Sequence, residues 1–238
     1  MTLFYGAPLL FTGQYAILNK KRLLSSRHEE NSMLQIYGCP NTRSNRVVWA
    51  LEEVEAAYDY HKIDLFAGEG RQADYLALNP GGKVPTLIDG DLILTESAAI
   101  CTYIGDCFPA SGLTPPVGSV ERAQYNQWCF FVMSELEQPL WTIAKHRFAL
   151  PEKRRVPAII ETAQWEWGVA VKVLATGLVG REFLVGGRFT VADILAGQCL
   201  TWARAFKMPL GHAHLDTYTD HLLARPALAR ALAREQGG

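Results

Sequence analysis

The apolar rhythm of this chain changes once, and that change limits the fold more than any single motif does. Before Pro109, short alternating runs take turns with helical spacing; beyond Gly118 only helical spacing persists. Leu34-Gln35-Ile36-Tyr37 predicts a strand ending at Gly38. Val47, Val48, Leu51 and Val54 then share one face of a helix whose Glu52, Glu53 and Glu55 point to solvent. Residues 58–63 alternate again, Gly68 and Gly70 interrupt them, and a short helix near 71–78 stops at Asn79-Pro80-Gly81-Gly82. Two further strand signals, 84–88 and 92–94, flank Asp89-Gly90-Asp91, a hairpin turn, and residues 97–107 close the series as a helix. The order is β-α-β-α-β-β-α.

Pro109, Gly112, Pro115, Pro116 and Gly118 then mark a linker over 109–117. Residues 120–147, 152–175, 191–206 and 217–233 carry helical spacing, the last interrupted or restarted at Pro226. The pattern predicts an α+β chain: a small mixed domain over 33–108 and an all-helical one over 118–238. Thr190-Val191-Ala192-Asp193 has the form of a capping box opening a central helix, a structural role with no chemistry.

Composition removes several functions. Lys and Arg number 23 against 24 Asp and Glu, so no basic excess is present to neutralise nucleic-acid phosphates. No run of eighteen apolar residues appears, so no membrane span is expected. Five cysteines, an odd number with no C-x-x-C pair, argue against a disulfide framework and a zinc site and for a reducing, cytoplasmic setting. Six scattered histidines offer no metal spacing beyond His212-x-His214, expected on a solvated loop; no metal is called for. Residues 1–32 carry Lys20, Lys21, Arg22 and Arg27 and no sustained period. Their charges follow the apolar stretch instead of preceding it, which is wrong for a signal peptide; a transit peptide or an upstream start, with Met33 opening the folded protein, fits better. The expectation is an extension outside the fold.

Four segments in order give the chain a family resemblance. They are Tyr37-Gly38-Cys39-Pro40-Asn41-Thr42-Arg43-Ser44-Asn45-Arg46-Val47-Val48-Trp49-Ala50-Leu51-Glu52-Glu53; Asn79-Pro80-Gly81-Gly82-Lys83-Val84-Pro85-Thr86-Leu87; Leu94-Thr95-Glu96-Ser97-Ala98-Ala99-Ile100; and Phe189-Thr190-Val191-Ala192-Asp193-Ile194. From Met33 onward the chain resembles the cytosolic glutathione transferases, of a bacterial or fungal, theta- or zeta-like serine/threonine type. The resemblance implies a thioredoxin-like first domain that binds glutathione as co-substrate, a helical domain that binds a small hydrophobic electrophile, and a homodimer. It implies a detoxifying transferase in which Lys83, Val84, Pro85, Glu96 and Ser97 hold glutathione. Val84-Pro85 would be cis, presenting the Val84 backbone to the tripeptide as one strand presents itself to another. Ser97 would meet the γ-glutamyl carboxylate and Glu96 the ammonium. A plain capping role for Thr95-Glu96-Ser97 is compatible with that, because a helix N-terminus is itself an anion site.

Glutathione must lose its thiol proton to attack an electrophile. Lowering a thiol pKa of about 8.5 by two units takes roughly 2.7 kcal/mol. One charge-assisted hydrogen bond from a hydroxyl near a helix N-terminus supplies much of this. Cys39, Asn41, Thr42 and Ser44 lie between the first strand and first helix, and by resemblance the active position falls on Asn41 or Thr42, with Ser44 read as a cap in the first helical turn. Cys39-Pro40 also resembles the start of glutaredoxins and omega-type transferases, about two residues out of register, so thiol transfer through Cys39 stays open as an alternative. A non-catalytic binding protein of the same fold is a third reading; it would predict damage to Val84-Pro85 and Glu96-Ser97, and both are intact. For the electrophile, Tyr125, Trp128 and Phe131 share helical spacing, as do Cys129, Met133, Leu136 and Leu140, so one of these stripes could line a cleft; Trp141 and Phe148 are further candidates.

Overall fold

A computed structural model describes residues 33–237, and the extension over 1–32 lies outside them. Strand β1 (Leu34–Gly38) leads through helix α1 (Ser44–Glu53) into β2 (Tyr58–Lys62), and α2 (Ala73–Leu78) precedes the hairpin β3 (Thr86–Asp89) and β4 (Leu92–Thr95). Helix α3 (Ser97–Cys107) ends this half. The sheet order is β2-β1-β3-β4, with β1 and β2 parallel and the other pairs antiparallel. This is the expected element order. Alternation along the strands divides the sheet into two faces. Ile36 and Leu87 face the main core with α1 and α3, whereas Tyr75, Val84 and Cys39 form a smaller cluster with Tyr37 and Leu78 of α2.

The second half is helical throughout. A continuous run covers α4 (Val120–Phe131), a π-helical segment (Val132–Leu136), α5 (Glu137–Ala144) and a second π segment (Lys145–Ala149). Periodicity alone predicts one uniform helix here. Pro139 changes that, because it lacks an N–H and its ring cannot approach the carbonyl four residues earlier, at Glu135. The extra residue per turn just upstream accommodates it. Helix α6 (Ile159–Gly177) starts seven residues later than the predicted 152, after Pro151 and Pro157. Helices α7 (Val191–Ala205), α8 (Ala213–Leu223) and α9 (Pro226–Gly237) complete the chain, with Pro226 opening α9 where proline costs nothing.

Ten of the fifteen residues of α7 are buried, so it forms the centre against which the rest packs. The Thr190–Asp193 capping box is complete. Asp193 also accepts hydrogen bonds from Leu184 N (3.0 Å) and Tyr218 Oη (2.8 Å), tying the preceding loop and α8 to the helix start. Helix α1 is buried on more than the single face expected, because α9 covers its other side. Glu52 and Glu53 are accordingly not solvated. Arg230 binds Glu52 at 2.8 Å and Arg225 binds Glu53 at 2.6 Å, while Trp49 Nε1 donates to Glu53.

The two halves are joined by a buried charge. Arg46 of α1 is 0% exposed, and its Nη2 lies 2.5 Å from Glu137 Oε2 of α5. The same guanidinium donates to Ser97 Oγ (3.3 Å) in α3 and Gln198 Oε1 (2.6 Å) in α7. Arg43, just before α1, binds the other carboxylate oxygen at 2.6 Å. The two arginines hold the Glu137 carboxyl below the usual carboxylate range against the opposing effect of burial. Replacing Glu137 by Gln leaves Arg46 buried without a counter-charge, and we expect a loss of about 3–5 kcal/mol in urea unfolding. Because the folded-state pKa is depressed, the carboxylate's contribution is intact above its unfolded pKa of about 4.3 and disappears as pH falls through the folded value. The parent should therefore lose stability in acid more steeply than Glu137→Gln, and equal slopes would contradict this role for Glu137.

Candidate active site

Strand register brings the first three sequence segments together at one end of the sheet. Tyr37 pairs with Thr86, and Thr86 pairs with Thr95. The chain leaving β1 at Gly38, the Val84-Pro85 step entering β3 and the Glu96-Ser97 step leaving β4 are therefore neighbours. The Val84-Pro85 peptide is cis. Lys83 is exposed; its carbonyl accepts from Tyr75 Oη (2.6 Å) and Asn79 Nδ2 (2.7 Å), which fixes the approach to the cis step. Helices α1 and α3 both start at this end, so two positive helix termini point toward one region.

Glu96 has φ 69° and ψ 111°, a conformation that a β-carbon makes costly, and its side chain is exposed. Strain of this kind persists where surrounding structure enforces it, and it gathers at binding sites. Ser97 is 2% exposed, and its hydroxyl oxygen accepts from Arg46, which leaves its own proton free to donate outward.

The loop between β1 and α1 is tightly hydrogen-bonded. Asn41 is exposed and left-handed (φ 60°), a conformation asparagine tolerates well. Thr42 Oγ1 donates to Cys39 O (2.7 Å), lies 2.9 Å from Ser44 Oγ and accepts from Ser44 N (3.2 Å). That last bond gives the cap at the start of α1 to Thr42. Ser44, expected to cap, is instead buried; its Oγ accepts from Cys39 N (3.0 Å) and lies 2.8 Å from both Cys39 O and Glu235 Oε1. Asn45 Nδ2 donates to the second Glu235 oxygen at 3.1 Å. A side chain at Gly38 would meet the Tyr60 ring at 2.7 Å and Ser44 Cβ at 2.9 Å, so only glycine fits where β1 turns into this loop.

Glu235 belongs to α9, almost two hundred residues away in sequence, and no motif pointed to it. Burial raises its pKa, with only Ser44 and Asn45 donating against that effect. Hydrogen counting bears on the same group. The cluster contains four short oxygen–oxygen contacts: Thr42 to Cys39 O, Thr42 to Ser44, Ser44 to Cys39 O, and Ser44 to Glu235. Each requires one hydrogen, and the two hydroxyls supply only two. A proton on Glu235 would supply a third, still one fewer than the four contacts. With that proton in place Ser44 accepts from Glu235 and donates to Cys39 O, and the single Thr42 hydrogen serves the contacts to Cys39 O at 2.7 Å and Ser44 Oγ at 2.9 Å.

Cys39 is 7% exposed, and burial raises its thiol pKa, opposite to what an attacking cysteine requires. The residues expected to line an electrophile cleft need correction. Tyr125 and Cys129 belong to the core; Tyr125 Oη lies 2.6 Å from Thr102 Oγ1, and the Cys129 thiol is pushed up to about 12 by burial. Trp128 is half-buried and stacks edge-on with Phe131 at 5.4 Å. The stripe faces inward because α7 fills the space beside α4. An aromatic group does adjoin the site elsewhere. The Arg43 guanidinium lies 5.0 Å from the Trp141 ring and 5.5 Å from Trp202. Trp141 was a sequence candidate; Trp202 was not. His214 is not on a solvated loop but in the first turn of α8, its Nε2 2.9 Å from Ala175 O. Among the described residues no group of His, Cys, Asp and Glu is arranged to hold a metal ion.

Comparison with known proteins agrees with this layout. Residues 32–106 match the model of the glutathione S-transferase N-terminal domain, and residues 137–226 that of the C-terminal domain. Glutathione S-transferase GstA of Escherichia coli O157:H7 is 30% identical over 164 residues, covering 68% of this chain and 78% of that protein. The disulfide-bond oxidoreductase YfcG of Escherichia coli K12 is 28% identical over 217 residues, 87% of this chain and 97% of its own. The structure of a sphingomonad glutathione S-transferase complexed with glutathione superposes with a TM-score of 0.75 at 30% identity, covering 86% of this chain and all of that one. The thioredoxin-like sheet with its cis peptide, the helical half and these relatives lead to one conclusion: the chain belongs to the glutathione S-transferase family and is a glutathione transferase, with glutathione as its co-substrate.

Proposed function

We propose that the protein transfers the glutathione thiolate to a hydrophobic electrophile, with Thr42 donating the hydrogen bond that holds the sulfur ionised. The observation that supports this reading is the place of Thr42 on the loop between β1 and α1, beside the start of α1 and at the sheet end where the Val84-Pro85 and Glu96-Ser97 steps also lie. Residues 33–108 then form the glutathione half, 109–117 the link and 118–238 the electrophile half. Glutathione lies along Val84 as an added strand. Its γ-glutamyl carboxylate meets Ser97 at the start of α3, its ammonium meets Glu96, and Lys83 faces the tripeptide from the loop. Asn41 orients the loop without touching the sulfur. The sulfur–carbon bond forms as the leaving group departs or the conjugated acceptor takes up the electron pair, and the thiol proton goes to solvent.

The second reading, thiol–disulfide exchange through Cys39, has support in the resemblance to a disulfide-bond oxidoreductase. Burial of the Cys39 thiol and its raised pKa oppose it. Variants separate the two. Thr42→Ala removes about 1.5–3 kcal/mol of thiolate stabilisation. The pKa of bound glutathione, read from thiolate absorbance, should rise by about one to two units. Conjugation at neutral pH should fall roughly tenfold or more. Cys39→Ser should conjugate near the parent rate. A Thr42→Ala protein with parent activity, or a dead Cys39→Ser, transfers the role to Cys39.

Glu235 gives a pH test. Its folded-state pKa is raised, so its contribution to stability is complete below the unfolded value of about 4.3 and is lost as pH rises through the folded value. Glu235→Gln keeps a donor toward Ser44 and has no proton to lose. Relative to the parent, that variant should gain unfolding free energy as pH rises from the unfolded value of about 4.3 through the raised folded-state value. A constant difference across that range would mean that Glu235 does not titrate there.

We also propose a cytoplasmic homodimer with α3 and α4 at its interface, as in the family. Sedimentation at micromolar concentration should give a dimer, and a stable monomer would refute it.

A further inference from the structure

The aromatic contact at Arg43 extends into a longer array. Trp141 and Trp202 have ring centroids 6.5 Å apart. Trp202 meets Phe206 edge-on at 5.6 Å, and Phe206 meets Phe148 edge-on at 6.2 Å. Phe148 is 59% exposed, so the row that begins one residue from Thr42 ends at the surface. Its outer end is basic. Arg147 lies 5.7 Å from the Phe206 ring, and neither it nor Lys145 has a carboxylate partner among the described residues. Residues 145–155 read Lys-His-Arg-Phe-Ala-Leu-Pro-Glu-Lys-Arg-Arg, with Glu152 the one acid among five Lys and Arg, in a chain whose overall charge is −1.

This segment is built into place. Arg155 Nε donates to Leu150 O (2.8 Å) and its Nη2 to Phe148 O (3.0 Å), while Val156 N donates to His146 Nδ1 (2.9 Å). The inner cation, Arg43, is in contact with Glu137, whose single carboxylate it shares with Arg46. The outer one, Arg147, has no carboxylate in contact among the described residues. A flat ring lying along the row would gain ring–ring contact, and a negative group on its outer edge would find an unneutralised guanidinium.

We propose that this row is where the electrophile binds and that it selects aromatic electrophiles carrying an anionic group, with Arg147 as the specificity residue. The proposal rests on the transferase reading for its chemistry but not for its binding. A dinitrobenzoate and the dinitrobenzene lacking its carboxylate are suitable probes, since neither has a leaving group and both quench tryptophan fluorescence. With the full-length protein and no glutathione, the benzoate should quench at a concentration at least about fivefold lower. Raising ionic strength to about 1 M, where the screening length is roughly 3 Å, should shrink that advantage. Arg147→Gln should abolish it while leaving the neutral probe unchanged, and Trp202→Leu should weaken both. Equal binding of the two probes, or an advantage that survives Arg147→Gln, overturns the proposal.

The chlorinated pair then tests turnover. Glutathione's sulfur–carbon bond forms at the ring carbon, chloride leaves with the carbon–chlorine electrons, and the thiol proton goes to buffer. The chlorodinitrobenzoate should show the higher kcat/KM, again dependent on Arg147. Discrimination in binding with conjugation of neither compound would refute the transferase reading and uphold the anionic aromatic site.

Discussion

A fully buried arginine is the constraint around which this protein is organised. Arg46 could not be taken out of water alone, because an ionised group in a low-dielectric interior costs several kcal/mol even after relaxation. Glu137 offsets that charge, and Ser97 and Gln198 accept from Nη1 and Nη2. These partners come from α5, α3 and α7, so satisfying one guanidinium fixes three helices against α1. An apolar side chain in the same place could fill the volume, but it would not set the register of four helices at once.

The position of α1 in turn sets the site. Its first turn carries Ser44, whose hydroxyl contacts Cys39 and Glu235, and the residue before it is Arg43, held by Glu137. A shift of α1 by one residue would break both attachments. The loop that carries Thr42, the hydroxyl proposed to meet the sulfur, is thus held at one side by a salt bridge to α5 and at the other by a carboxyl group of α9. Glutathione binding would draw on geometry already present, and little ordering cost would fall on the ligand.

How much of this was legible depended on how far apart the interacting residues stand. The element order along the chain and α3 followed from local alternation and turn residues, and the Thr190–Asp193 capping box was readable because its members are three residues apart. The cis peptide came from resemblance to a family, not from periodicity, and the left-handed backbone of Glu96 was not foreseen. Arg46, Glu137 and Glu235 were invisible as a set, since each is an ordinary charged residue until the fold brings it to partners tens or hundreds of residues away. The same distance explains the misread acids. Glu52 and Glu53 look solvated on a helical wheel, and they are paired because α9 returns across them with Arg230 and Arg225. Tyr125 and Cys129 failed differently: a helix with two apolar stripes does not indicate which one faces a neighbouring helix, and α7 took the one expected to face a cleft.

Arg43 couples the two kinds of chemistry that a transferase needs. Its guanidinium is bound to Glu137 on one side and lies over Trp141 and Trp202 on the other, while its backbone follows Thr42 directly. Any rearrangement of the tryptophans by a bound ring would be felt by Arg43, and through it by the ion pair and the loop that carries Thr42. The coupling is mechanical, since the guanidinium has fixed partners on both sides and little freedom to absorb a displacement. Under the proposed reading, occupancy of the aromatic row and the placement of the Thr42 hydroxyl would both act on Arg43.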